Sequence, residues 1–239
     1  REMEFEERLR GATYKDAAIA GGGIWQTVLA TRRASRQELF ALAYKRLDRM
    51  LRRGTTTVEA KTGYGLTVHD EIKLLQTMRD LNEHHPIDIV PTFMALDIPP
   101  EFHHNKGDYI RMITDEMIPR VAEEKLAKFC GVFCDHDVFS HQETERILSA
   151  GKRHGLLPRM HADAFDPFKA AELAAELGVI SAAHLLLVSD KGIEMLAERG
   201  VIAELLPGVP FFTAFVRYAP ARKMLESGVK VALATGCNP

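Results

Sequence analysis

Leu157-Pro158-Arg159-Met160-His161-Ala162-Asp163 and Val179-Ile180-Ser181-Ala182-Ala183-His184-Leu185 are two short apolar runs that each reach a histidine near their end. Residues 168–177 between them have the length and pattern of one helix. Strand, helix, strand is the repeating unit of a parallel sheet, because parallel neighbours need a crossover of about a dozen residues or more. In a parallel α/β barrel the chemistry sits at the C-terminal strand ends. This order therefore puts His161 and His184 on adjacent strand ends, where two imidazoles can converge on one metal ion or one substrate.

The same alternation extends in both directions. Strand-like runs occupy residues 56–60, 87–93, 131–139, 201–206 and 229–235, and helix-like runs occupy 35–53, 68–83, 109–128, 141–154, 189–199 and 219–227. In the first helix-like run, Leu39, Leu42, Ala43, Leu47, Met50 and Leu51 share one face at helical spacing. Ser35, Ser140 and Ser189 stand where helix N-caps are expected, and Gly54, Gly155, Gly178, Gly200 and Gly228 follow helix ends. The result is about seven β–α repeats, one strand short of an eight-fold barrel. No linker or low-complexity segment interrupts them, so residues 1–239 read as a single domain.

Composition narrows the function classes. Net charge is −2 and 27% of residues are charged, which gives no basic surface for nucleic acid or acidic lipid. No apolar run is long enough to span a bilayer. Three cysteines, Cys130, Cys134 and Cys237, make a disulfide framework improbable and fit a reducing compartment. Cys130 and Cys134 read as core residues. Gly21-Gly22-Gly23 lacks a following Gly-Lys-Ser/Thr and reads as a turn. Lys61-Thr62-Gly63-Tyr64-Gly65-Leu66 follows the first strand, and its two glycines allow a tight turn that carries Tyr64 toward the barrel mouth. Asn238 sits where a loop leaves the last strand. Asp135-His136-Asp137 either lines the mouth or ends a strand in solvent, and His84-His85 and His103-His104 read as solvated surface.

These residues together resemble the imidazolonepropionase family of the metal-dependent amidohydrolases. The likeness rests on Arg8-Leu9-Arg10-Gly11-Ala12-Thr13-Tyr14, Gly21-Gly22-Gly23-Ile24, Thr57-Val58-Glu59, Lys61-Thr62-Gly63-Tyr64-Gly65-Leu66 and Pro99-Pro100-Glu101. It continues through His161-Ala162-Asp163, Ala171 to Gly178, His184-Leu185, Leu205-Leu206-Pro207-Gly208 and Ala232 to Pro239. The resemblance implies an α/β fold, a (β/α)8 TIM barrel of the amidohydrolase type, here incomplete, without its first strand and the small β-domain. It implies hydrolysis of 4-imidazolone-5-propanoate to N-formimino-L-glutamate in histidine degradation, one zinc or iron ion, a homodimer and a cytoplasmic setting. Carried over, His161 is a metal ligand, His184 a catalytic neighbour of the attacking water, and Arg1, Tyr14, Tyr64 and Asn238 bind substrate.

The resemblance also marks departures. A His-x-His pair is expected upstream of Arg1. Gly236 stands where the family carries a metal-binding Asp, Ala164 and Ala183 stand where it carries polar or acidic groups, and Leu96-Asp97 replaces a substrate-binding His. Two further readings follow from these positions. One is a catalytically inactive or truncated relative that serves as a binding or assembly module. The other is a shifted site using Asp135, Asp137 or Asp163 as the acid. A barrel with an open edge is also expected to associate.

Overall fold

In the computed structural model, residues 5–6, 9–11 and 24–237 are described. Arg1, Tyr14, Gly21-Gly22-Gly23 and Asn238 lie outside the described residues. The chain divides into two compact units, one formed by Val28–Val132 with Glu143–Pro158, the other by Arg1–Thr27, Phe133–Gln142 and Arg159–Pro239.

The first unit holds β1 (Thr57–Lys61), β2 (Asp88–Ala95) and β3 (Phe129–Phe133), parallel and in chain order, with the last residue of β3, Phe133, belonging to the second unit. Thr57 lies opposite Asp88, and Thr92 opposite Phe129. The helices here include most of α1 (Ile24–Arg33, of which the part from Val28 belongs to this unit), α2 (Arg36–Leu51) and α3 (Val68–His84). Ser35 caps α2 through a capping box with Glu38, so two otherwise orphaned N–H groups are satisfied reciprocally. Buried Leu47, Leu81, Ile87 and Ile89 join the helices to the sheet. Cys130 is fully buried, and burial pushes its thiol up to about 12, as expected of a core residue.

Two expectations in this unit are corrected. The helical run 109–128 is divided into α4 (Lys106–Met112), a π-turn (Ile113–Met117) and α5 (Ile118–Glu123). Pro119 at the start of α5 has no N–H to donate to the preceding turn, and the wider π-turn takes up the mismatch. His85 is not a surface residue. It is 6% exposed, its Nδ1 accepts the Ile87 N–H at 3.1 Å, and its ring meets Tyr44 edge-on. His84, His103 and His104 are exposed.

The second unit holds β4 (Leu157–Ala162), β5 (Ser181–His184), β6 (Ile202–Leu205) and β7 (Val231–Leu233), again parallel and in chain order. With them come α6 (His141–Arg153), which straddles the unit boundary, then α7 (Ala170–Leu177), α8 (Asp190–Arg199), α9 (Gly208–Phe212) and α10 (Ala221–Glu226). His161, Ala183 and Glu204 form one row across β4, β5 and β6. On the same face Arg159 Nη1 donates to Glu204 Oε1 at 2.8 Å. Among the described residues, no helix is long and apolar enough to cross a membrane.

Each unit fixes one strand-to-helix loop with a buried carboxylate. Glu71, 2% exposed, accepts the N–H of Gly63 (2.9 Å), Gly65 (2.8 Å) and Leu66 (2.8 Å). Asp163, also 2% exposed, accepts the N–H of Phe168 (3.1 Å), Ala170 (3.0 Å) and Ala171 (2.9 Å). Burial raises both carboxyls above their ordinary range, and these N–H groups pull the other way.

Glu71→Gln and Asp163→Asn each turn an accepting oxygen into an amide NH2 donor that faces backbone donors. Each is expected to cost about 2–3 kcal/mol in urea unfolding, and a loss below about 0.5 kcal/mol would remove the clamp role. Gly151 lies on α6 where an added Cβ would fall 2.7 Å from Cys130 Cβ. Gly151→Ala is therefore expected to lower stability by about 1–3 kcal/mol, read from the same curves.

Candidate functional site

The mouth of the second unit is built at the ends of β4 and β5. His161 is the fifth residue of β4, and its carbonyl accepts the Cys134 N–H at 3.1 Å. Register alone would separate the two histidines. His161 pairs with Ala183, so His184, one residue further on, would point to the opposite face of a regular strand. The backbone resolves this by leaving the extended region: φ is +75° at His184 and +56° at Leu185. Such values are uncommon for residues with a side chain, and they collect where a structure holds a group in place. The imidazole rings come to rest with centroids 4.7 Å apart at 71°. Both are half-buried. Phe133 forms the wall beside them, 6.0 Å from His161 and 6.5 Å from His184.

Asp163 follows at once, with φ +47°, and its clamp on the start of α7 holds the end of β4. Its Leu187-accepting carbonyl (3.0 Å) ties the two strand-end loops together. Both Asp163 carboxylate oxygens are thus engaged with backbone donors, which removes it as a replacement acid.

Tyr64 is half-buried in the turn after β1, in the first unit. Gly63 adopts φ +101°, and a Cβ there would lie 2.6 Å from Leu96 Cβ. Gly65 has an ordinary φ but no room, since a Cβ would fall 2.7 Å from the Asp70 backbone. Arg32 Nε donates to the Gly65 carbonyl at 2.7 Å. With the Glu71 clamp, these contacts present Tyr64 on a rigid turn. Asp97, where the resemblance expects a histidine, is held by the Ile98 N–H at 2.8 Å, and burial raises its carboxyl.

Sequence reading missed three contributors. Glu71 sits on a helix downstream of the loop it holds. Phe133 lies in an apolar run with no mark of function. Asp166 joins Asp135 and Asp137 in the one group of three His, Cys, Asp or Glu ligand atoms, among the described residues, close enough to share an ion. Neither His161 nor His184 belongs to that group. The positions around the histidines are apolar instead: Ala164 is 0% exposed and Ala183 4%. Catalytic zinc takes about three protein ligands, so the described residues at this mouth do not fit a catalytic metal centre by themselves.

No protein-family model matches the chain. Imidazolonepropionase of Brevibacillus brevis is 54% identical over 100% of the chain and 56% of the relative's length. The Treponema denticola imidazolonepropionase is 50% identical over 100% and 58%. Among solved structures, an adenine deaminase from Arthrobacter aurescens matches with TM-score 0.64 and 13% identity, covering 84% of this chain and 63% of that one. An adenosine deaminase from Xanthomonas campestris with bound zinc matches with TM-score 0.61 and 16% identity, covering 89% and 48%. An amidohydrolase from a Sargasso Sea sample gives TM-score 0.60 and 16% identity, covering 89% and 53%. The parallel strands and their crossover helices are those of an amidohydrolase-type barrel, and the chain, spanning a little over half the length of these curated relatives, is similar along its whole extent to proteins named imidazolonepropionase.

Proposed function

We propose that this chain is the barrel portion of a hydrolase that opens the ring of 4-imidazolone-5-propanoate. The observation that carries this reading is the 54% identity, over 100% of the chain, to a relative named for that substrate. Ring opening adds water to the ring carbonyl carbon and breaks its bond to the ring nitrogen. The carbonyl becomes the new carboxylate, and the nitrogen leaves as the formimino group of N-formimino-L-glutamate. His184 suits the proton traffic of this step: an imidazole can take a proton from the attacking water and return it to the leaving nitrogen. The left-handed backbone at His184 and the Phe133 wall hold that ring in place.

Substrate recognition falls to Tyr64 on its clamped turn, and to Arg1, Tyr14 and Asn238. A guanidinium at Arg1 complements the propanoate because its fork donates two parallel hydrogen bonds to a carboxylate. Zinc or iron is the metal of this reading, with His161 its ligand in this chain. A homodimer acting on a small molecule in the cytoplasm completes it.

The test is calorimetric titration with 4-imidazolone-5-propanoate, paired with loss of imidazolone absorbance in excess Zn2+ or Fe2+. Saturable binding is expected, weakened about five- to tenfold in Tyr64→Phe by loss of one hydrogen bond. Turnover is expected to fall about 10²–10⁴-fold in His184→Ala. A chain that neither binds nor opens the ring under these conditions would overturn the substrate assignment.

A further inference from the structure

Glu204 is the one acidic residue on the strands of the second unit, β4 to β7. It stands in the His161 row, with Ala183 of β5 between the two. Paired residues of a parallel sheet face the same side, and neighbouring strands lie about 4.8 Å apart, so the backbones of His161 and Glu204 are roughly 10 Å apart across a single methyl group. Side chains stand near-perpendicular to a sheet. A flat five-membered ring over Ala183 therefore has an imidazole on one side and a carboxylate on the other. Arg159, two residues before His161 on the same face of β4, donates from Nη1 to Glu204 Oε1 at 2.8 Å. The two side chains are half-buried, 18% and 14% exposed, and so remain within reach of a ligand. Glu204 Oε2 takes no hydrogen bond among the described residues. Asp163, by contrast, has both oxygens engaged by backbone donors, and Ala164 and Ala183 are buried methyl groups.

The imidazolone ring has one edge suited to a carboxylate, its N–C–N edge. Opening the ring breaks the bond from one of these nitrogens to the carbonyl carbon, which gains the water oxygen. The proton of the new carboxylic acid passes to the formimino group, a basic amidine, and leaves a carboxylate and a formamidinium cation. The N–C–N edge thus gains positive charge as the ring opens. A carboxylate facing it binds the opened form more tightly than the ring, because a hydrogen bond between charged partners is stronger than one to a neutral donor. On the basis of the ring-opening function, we propose that Glu204 is a specificity-determining residue: its Oε2 accepts an N–H of the N–C–N edge, while Arg159 fixes the carboxylate through Oε1.

Two probes separate charge from shape: N-formimino-L-glutamate, and N-formyl-L-glutamate, in which a neutral carbonyl oxygen replaces the terminal nitrogen. Each is titrated calorimetrically into the full chain. Wild type is expected to bind the formimino compound about ten- to a hundredfold more tightly, the worth of one charged hydrogen bond. Glu204→Gln keeps the size of the side chain, and its preference is expected to fall below about threefold. Glu204→Asp keeps the charge and is expected to keep the preference at lower affinity. A strut joining β4 to β6 without touching the ligand would lower Tm and leave the ratio unmoved, so an unchanged ratio in Glu204→Gln overturns the proposal. Equal affinities in wild type overturn it as well, while the substrate assignment stands. Wild type that binds neither compound overturns the substrate assignment and this role with it. Should an unpaired Arg159 unfold the single variant, Arg159→Gln/Glu204→Gln removes both charges and carries the same expectation.

Discussion

Two buried carboxylates hold the loops that leave β1 and β4. Glu71 and Asp163 stand in different units, yet each accepts three backbone N–H groups from a turn that leaves a strand end. The physical reason is common to both. A turn that leaves a parallel strand points its N–H groups inward, where neither the sheet nor water can accept them, and an orphaned buried donor costs about 1–3 kcal/mol. One carboxylate with two oxygens answers three donors at once. The burial that raises these carboxyls also keeps the hydrogen bonds strong, since a low dielectric sharpens them. The loops are therefore rigid without any regular structure of their own.

Rigidity of this kind permits the backbone its departures. Asp163, His184 and Leu185 all have positive φ, and all three lie at the ends of β4 and β5. A strand end free to relax would return His184 to the alternating pattern and turn its ring away from His161. With the Leu187 N–H held by the Asp163 carbonyl and the Leu185 N–H by the Ala162 carbonyl, the two strand ends move as one. The imidazole pair is thus a consequence of loop anchoring more than of strand register.

Much of the fold was legible in the sequence because local signals agreed. The strand at 157–162 and the helix at 170–177 announce themselves by apolar run, alanine-rich helix and closing Gly178. The two histidines were legible as residues at neighbouring strand ends, but the left-handed backbone at His184 and Leu185 that brings their rings together was not. What escaped reading depends on distant partners. His85 lies among charged neighbours, and only packing against Tyr44 and the Ile87 N–H buries it. The helix at 109–128 hides its break because Pro119 falls inside good helical periodicity. Glu71 looks like one of several acids on a helix, and nothing local says that its carboxylate turns back to a glycine loop.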